Sequence, residues 1–263
     1  MMPTALIVDD EPQANSLLAA LVQLRGYRTV SALNGREAIE ALEREAFDIV
    51  FLDLMLPDIN GYEVCTHIKT CKTTALTPVV MVTARVAVEN RVRSFLHGAD
   101  NYVAKPYTPD QIFEAMDLAD ESRQAVARDA HRGALAFDAH DEGETLRRLS
   151  QLRSLLLACS PLGADEVSRL ADALRTLWES ADAWGRRHGV TEIATLEYRV
   201  LDDRVEIRLR DLVGWLTEAL ALTDEPGGRP DSVASATFDR VDVDDLLRSM
   251  TLVKQFDGDD HAR

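Results

Sequence analysis

The chain is short of cysteine, of positive charge and of long apolar runs. Its three cysteines, Cys65, Cys71 and Cys159, are an odd number at spacings that suit neither zinc nor a disulfide framework. They read as reduced thiols. The six histidines are scattered with no H-x-x-x-H pair, which argues against histidine-based metal catalysis. No apolar run approaches the roughly 20 residues of a membrane span. The start, MMPTALIVDDEPQ, lacks a basic stretch leading into an apolar one, so it does not read as a signal peptide. A cytoplasmic protein with no membrane partner is the expectation. Lys and Arg number 29 against 45 Asp and Glu, a net charge of −16. Both nucleic acid and anionic membrane would repel such a surface, so no nucleic-acid partner is expected.

What is present is enough for two domains: 263 residues, 46% of them hydrophobic. The first 120 or so residues alternate between two kinds of segment. ALIVDD, YRTVSAL, DIVFLDL, PVVMVTA and NYVAKPY are short apolar runs. Between them lie QANSLLAALVQLRGY, GREAIEALEREAF, GYEVCTHIKTC and AVENRVRSFLHGA, with apolar residues at helical spacing. TPDQIFEAMDLADES opens a fifth helix, with Thr108 as N-cap and Pro109 at the first helical position. Apolar strands alternating with helices predict a doubly wound, five-stranded parallel sheet covered on both faces. Chemistry in such sheets sits beyond the carboxyl ends of the strands. There the sequence places Asp9, Asp10 and Glu11, then Asp53, then Thr83, then Lys105-Pro106. Any one of these could be a cap or a solvated loop residue. Together they are carboxylates, a hydroxyl and an amine at one edge.

These residues resemble the receiver domains of two-component response regulators. The resemblance is carried by DDE, D-x-x-L-P with Gly61 eight residues after Asp53, T-A and K-P. It covers about residues 1–122 and implies a flavodoxin-like fold. It also implies Asp53 as phosphoacceptor, with Lys105 and Thr83 holding phosphoryl oxygens. Mg²⁺ would be held by Asp10 directly, by Asp9 mainly through water, by Asp53 and by the main-chain carbonyl of Met55. Thr83 and Tyr102 stand at the family's switch positions, and Met55 and Arg85 flank the site. A cognate histidine kinase or phosphotransfer protein is the implied upstream partner.

The fifth helix stays helix-prone to Gly133 with no Pro/Gly/Ser linker, so residues 110–132 read as a stiff connector. Residues 133–263 read as α+β: a strand, a helix, a long helix striped with Leu170, Leu174, Leu177, Trp178, Ala181 and Trp184, and a hairpin about Asp202-Asp203. DEPGGRPDSVASAT reads as a loop. This order resembles the α+β sandwich of the histidine-kinase and anti-sigma-factor-kinase ATPases, the GHKL type. The stretches that carry it are TLWESADAWGRR and LRDLVGWL. The resemblance places Asp211 at the adenine position and Ser180 where a metal-holding Asn belongs. Thr176 stands for the family's Glu, and Val213 and Trp215 occupy glycine places. Asp242, Asp244 and Asp245 bring acid to the phosphate side. These departures imply a degenerate domain that has lost ATP.

The reading at this level is a phosphorylation-controlled regulator, not an enzyme. Its ATPase-like domain would act on an unknown protein partner through residues 133–263. The alternative is a receiver-controlled ATP-dependent protein kinase. A transcription factor ranks last, because the second half is acidic and shows no basic recognition helix.

Overall fold

Short apolar runs become the strands of a parallel sheet because both of their faces are sheltered. In the computed structural model these are Thr4–Val8 (β1), Arg28–Ala32 (β2), Ile49–Leu52 (β3), Val79–Thr83 (β4) and Asn101–Ala104 (β5). All four residues of β3 are fully buried. The structure describes residues 2–85, 87–129, 131–138, 142–190, 192–211, 237–244 and 249–256. Two units separate by their internal contacts, Met1–Arg128 and Asp129–Arg263.

The helices of the first unit are Pro12–Leu24 (α1), Gly35–Arg44 (α2), Gly61–Thr70 (α3), Val88–Leu96 (α4) and Pro109–Asp129 (α5). The strand order is β2-β1-β3-β4-β5, all parallel. β1 therefore has β2 on one side and β3 on the other, and the winding reverses there. That is where a crevice opens beyond the carboxyl ends. Register aligns those ends: Val8 pairs with Leu52 and with Ala32, and Thr83 with Ala104.

Local chemistry fixes the helix starts. Asn34 caps α2 by accepting from the Glu37 N–H at 2.9 Å, and the Glu37 carboxylate accepts in return from the Leu33 N–H. The Asp58 carboxylate accepts from the N–H groups of Gly35 and Arg36 at 2.8 and 2.9 Å, which ties the loop after β3 to the α2 N-terminus. Those hydrogen bonds outweigh desolvation and lower the Asp58 pKa.

Polar contacts far apart in sequence anchor α5 at the opposite end of the sheet. Arg123 donates to Asp48 at 2.6 Å and to Asp120 at 3.3 Å, and Tyr27 donates to Asp120 at 2.9 Å. Asp48 also accepts from the Thr4 N–H at 2.7 Å. Burial first, and then the Asp120 carboxylate, push the Tyr27 hydroxyl well above its ordinary pKa.

The second unit holds Arg132–Asp138 (β6), Glu142–Cys159 (α6), Ala164–His188 (α7), Glu192–Val200 (β7), Arg204–Asp211 (β8), Arg240–Asp244 (β9) and Ser249–Gln255 (β10). Its sheet is antiparallel throughout, in the order β6-β7-β8-β10-β9. Leu170, Leu174, Leu177, Trp178, Ala181 and Trp184 are buried along α7. α7 stops at Gly189, whose φ of 69° is the left-handed conformation glycine adopts without strain. Alternate residues of the hairpin face inward: Leu196, Tyr198 and Val200 on β7, and Val205, Ile207 and Leu209 on β8. Val200 pairs with Val205 across the turn at 201–203. Most of DEPGGRPDSVASAT lies outside the described residues.

Candidate functional site

The strand ends deliver their side chains to one place. β1 carries the chain into Asp9, which is 2% exposed, and then Asp10, which is exposed. Asp53 follows the wholly buried β3, and its N–H donates to the Val8 carbonyl at 2.9 Å, so the sheet itself positions it. Ligand atoms of Asp9, Asp10 and Asp53 all lie within 4.8 Å of one another. Lys105 follows β5, and its N–H donates to the Thr83 carbonyl at 2.8 Å. Its ammonium donates to Asp9 Oδ2 at 2.6 Å and to Asp53 Oδ2 at 2.5 Å. The remaining Asp9 and Asp53 oxygens accept from backbone, Glu11 N–H and Met55 N–H, both at 3.1 Å.

Lys105 is pulled two ways. Burial is the largest influence and lowers its pKa, but the hydrogen bonds and charges of Asp53 and Asp9 together outweigh it, and the net shift is upward. A raised lysine pKa stabilises the fold fully below the unfolded value of about 10.4, and the contribution is lost as pH rises through the folded value. The ammonium is therefore present throughout the physiological range.

Three carboxylates against one ammonium leave two negative charges, the charge of one divalent cation. The donors are hard oxygens, which suit Mg²⁺. The cluster has the oxygen donors and the charge of the Mg²⁺ site that the receiver resemblance implies. Removing the competing amine should make the ion matter more. Lys105→Met should melt below the parent without Mg²⁺, and added Mg²⁺ should raise its melting temperature more than the parent's. Equal Mg²⁺ shifts in calorimetric melting of the two proteins would refute this account of the charge balance.

Thr83 ends β4 fully buried, and its hydroxyl accepts from the Arg85 N–H at 3.4 Å. The Tyr102 hydroxyl is buried with no hydrogen-bond partner among the described residues, and burial raises its pKa. Arg85 Nε donates to Met55 Sδ at 3.1 Å, across the rim of the site. The sequence did not single out Asn15 or Asp58 as supports of this site, and it gave Gly61 only as part of the motif around Asp53. Gly61 packs so closely that a Cβ would lie 2.2 Å from the Asp53 carbonyl oxygen.

Comparison with known proteins agrees with this geometry. The family described as the response regulator receiver domain matches residues 5–117. The transcriptional regulatory protein TcrA of Mycobacterium tuberculosis is 31% identical over 223 residues, covering 75% of this chain and 87% of TcrA. The DNA-binding dual master transcriptional regulator RpaA of Synechocystis is 28% identical over 188 residues, covering 67% of this chain and 78% of RpaA. The BeF3-activated DrrB receiver domain is 33% identical, with a TM-score of 0.43, over 46% of this chain and 99% of that one.

These relatives correct the reading of the second half. The match to TcrA runs past the receiver, and its partner in the alignment is a transcriptional regulator. The GHKL-type sandwich, the ATPase-like output domain and the receiver-controlled kinase are therefore withdrawn. The chain is a regulator rather than a kinase. The misreading has a physical source. A strand, two amphipathic helices and a hairpin bury an apolar face in many α+β domains, so their order is not specific. The residues that carried it are thin evidence: Ser180 is exposed on α7, and Asp211 is the last residue of β8, opposite Ala194. Val213, Trp215 and Asp245 lie outside the described residues. No helix among the described residues is long and apolar enough to cross a membrane. From the match to TcrA over most of its length, and from the strand-end acids that meet Lys105, the chain belongs to the response-regulator family.

Proposed function

We propose that the chain is a transcriptional regulator switched by phosphorylation of Asp53. The observation that supports this most directly is the convergence of Asp9, Asp10, Asp53 and Lys105 at one sheet edge. A carboxylate oxygen of Asp53 attacks the phosphorus of a phosphohistidine on a cognate kinase or phosphotransfer protein. The new O–P bond forms as the P–N bond breaks, and the imidazole leaves with the electron pair. Lys105 gives up its Asp53 contact to hold one phosphoryl oxygen, and the Thr83 hydroxyl turns to donate to another. Asp9, Asp10, Asp53 and the Met55 carbonyl would hold Mg²⁺, which when bound would supply positive charge to the phosphoryl oxygens. Movement of Thr83 changes the packing beside Tyr102, and the two residues form a switch between two populated states. Residues 1–122 are the receiver on this reading, residues 110–132 carry the change along α5, and residues 133–263 are the effector. The reading places the chain in the cytoplasm.

The effector's target is promoter DNA, in line with the names of the relatives. The acid excess means that binding has to come from specific contacts, with little nonspecific affinity. Arg199, Arg204, Arg208 and Arg210 share one face of the β7–β8 hairpin, interleaved with Glu197 and Glu206. They are the first side chains to substitute. The test is selection from randomised duplex DNA at low salt by the full chain, with and without acetyl phosphate. A sequence motif enriched in the phosphorylated pool is expected. No enrichment in either pool would remove the DNA target, while labelling of Asp53 is tested separately.

A further inference from the structure

Behind the acid pair, one buried amide gathers three strand-end carbonyls. Asn15 lies on α1 and is 2% exposed. Its Nδ2 donates to the carbonyl oxygens of Ile7 and Ala32, both at 3.1 Å, and to that of Asp9 at 3.4 Å. Its own N–H donates to the Glu11 carbonyl at 2.9 Å. This one residue is thus fastened to the end of β1, the end of β2 and both sides of Asp10. Helix propensity does not ask for asparagine there. A leucine would simply extend the apolar face made by Leu18, Ala19 and Val22.

Asp9 and Asp53 are each held by hydrogen bonds to their own carboxylates. Asp10 is different. No hydrogen bond or ion pair among the described residues holds its carboxylate. Its position in the cluster is set by the backbone of the β1–α1 turn, and Asn15 pins that turn. Mg²⁺ demands near-ideal octahedral geometry, so small displacements of one ligand lower affinity.

We infer that Asn15 is a positioning residue that sets the Mg²⁺ affinity of the acid cluster by fixing the turn that carries Asp10. The inference rests on the receiver reading proposed above. Without the amide, the carbonyls of Ile7, Ala32 and Asp9 each lose one donor, the Ala32 carbonyl keeping the Asp9 N–H at 3.2 Å, and the turn is no longer tied to α1 by a side chain.

The test uses the full chain and Mg²⁺ alone, followed by calorimetry, with acetyl phosphate labelling as a second readout. Asn15→Leu should weaken Mg²⁺ binding roughly tenfold, the equivalent of about 1.4 kcal/mol. Saturating Mg²⁺ should restore most of its labelling rate. Val22→Ala, a cut in the core face of the same helix away from the turn, should lower the melting temperature but leave Mg²⁺ affinity unchanged. A folded Asn15→Leu that binds Mg²⁺ like the parent overturns the inference. So does a Val22→Ala that weakens Mg²⁺ as much as Asn15→Leu. If Asn15→Leu does not fold, Asn15→Ser retains one donor and should bind Mg²⁺ with intermediate affinity; parent-like affinity there is equally fatal. A parent chain that binds Mg²⁺ but takes no phosphoryl group would end the phosphoacceptor reading, and the calorimetric comparison would still decide the role of Asn15.

Discussion

Asp53→Asn should gain no phosphoryl group when the full chain is incubated with acetyl phosphate or phosphoramidate and Mg²⁺, while the parent gains one by intact mass. Position selects Asp53 among the three carboxylates. Asp9 is as deeply buried and, like Asp53, is held by one backbone N–H and by the Lys105 ammonium, but it follows β1, one strand further from Thr83. Asp10 is exposed and lacks a lysine to receive phosphoryl oxygens. Asp53 differs in its strand: it follows β3, the middle strand of the five, which pairs with β4, the strand that ends in Thr83, and it meets Lys105 at 2.5 Å. An asparagine keeps the shape but replaces the nucleophilic oxygen with a neutral amide. A side-chain carboxylate contributes to phosphoryl transfer as nucleophile and by electrostatics, so its loss should lower the rate by orders of magnitude. Asp10→Asn should label slowly and bind Mg²⁺ weakly, and Glu11→Gln should do less to both. Labelling of Asp53→Asn in full yield would show that another residue is the acceptor.

Gly61→Ala should damage stability and labelling together. A Cβ at this position would stand 2.2 Å from the Asp53 carbonyl oxygen, 2.8 Å from Leu54 Cα and 3.0 Å from the Asp53 carbonyl carbon. All three are backbone atoms, so no flexible side chain can swing aside. The Gly61 N–H also donates to the Leu54 carbonyl at 3.2 Å, which draws the two segments together. Either the N-terminus of α3 or the segment carrying Asp53 has to move. Overpacking of this kind costs about 1–3 kcal/mol. Moving Asp53 away from Lys105 and its neighbours should slow labelling at least about tenfold, since an ångström of misplacement is that expensive in an oriented site. Thermal unfolding and acetyl phosphate labelling measure the two effects. A Gly61→Ala chain that melts and labels like the parent would show that the backbone yields without disturbing the site.

These expectations draw on different levels of information. The receiver was legible because its signals are local. Apolar runs such as IVFL and VVMVT mark buried parallel strands, and the first polar residue after each is forced to the sheet edge. Asp9, Asp53, Thr83 and Lys105 could therefore be collected from sequence alone, and the structure places them at the carboxyl ends of β1, β3, β4 and β5. Contacts between distant segments were not legible, either beside the site or at the opposite end of the sheet. Asp58 reaches back to α2 across 23 residues, and Arg123 reaches Asp48 across 75. Neither has a local pattern, because an Asp in a loop and an Arg on a helix are ordinary surface residues until the fold brings their partners. Gly61 was noticed as part of a motif, but its close approach to the Asp53 carbonyl is a distance between segments. The second unit shows the same limit. Periodicity gave β6, α6, α7 and the β7–β8 hairpin but not β9 or β10, and β10 lies between β8 and β9 and pairs with both. That arrangement depends on contacts between strands rather than on the period within any one of them. By itself the sequence determined the parallel sheet, its polar edge and the acids that suit Mg²⁺, since hydrophobic period and strand-end chemistry act within a few residues. Only the tertiary structure decided what holds those acids in place: Asn15 behind the β1–α1 turn, Asp58 tying the loop after β3 to the α2 N-terminus, and Lys105 between two carboxylates, each a meeting of groups from separate elements that comes about only when the chain folds.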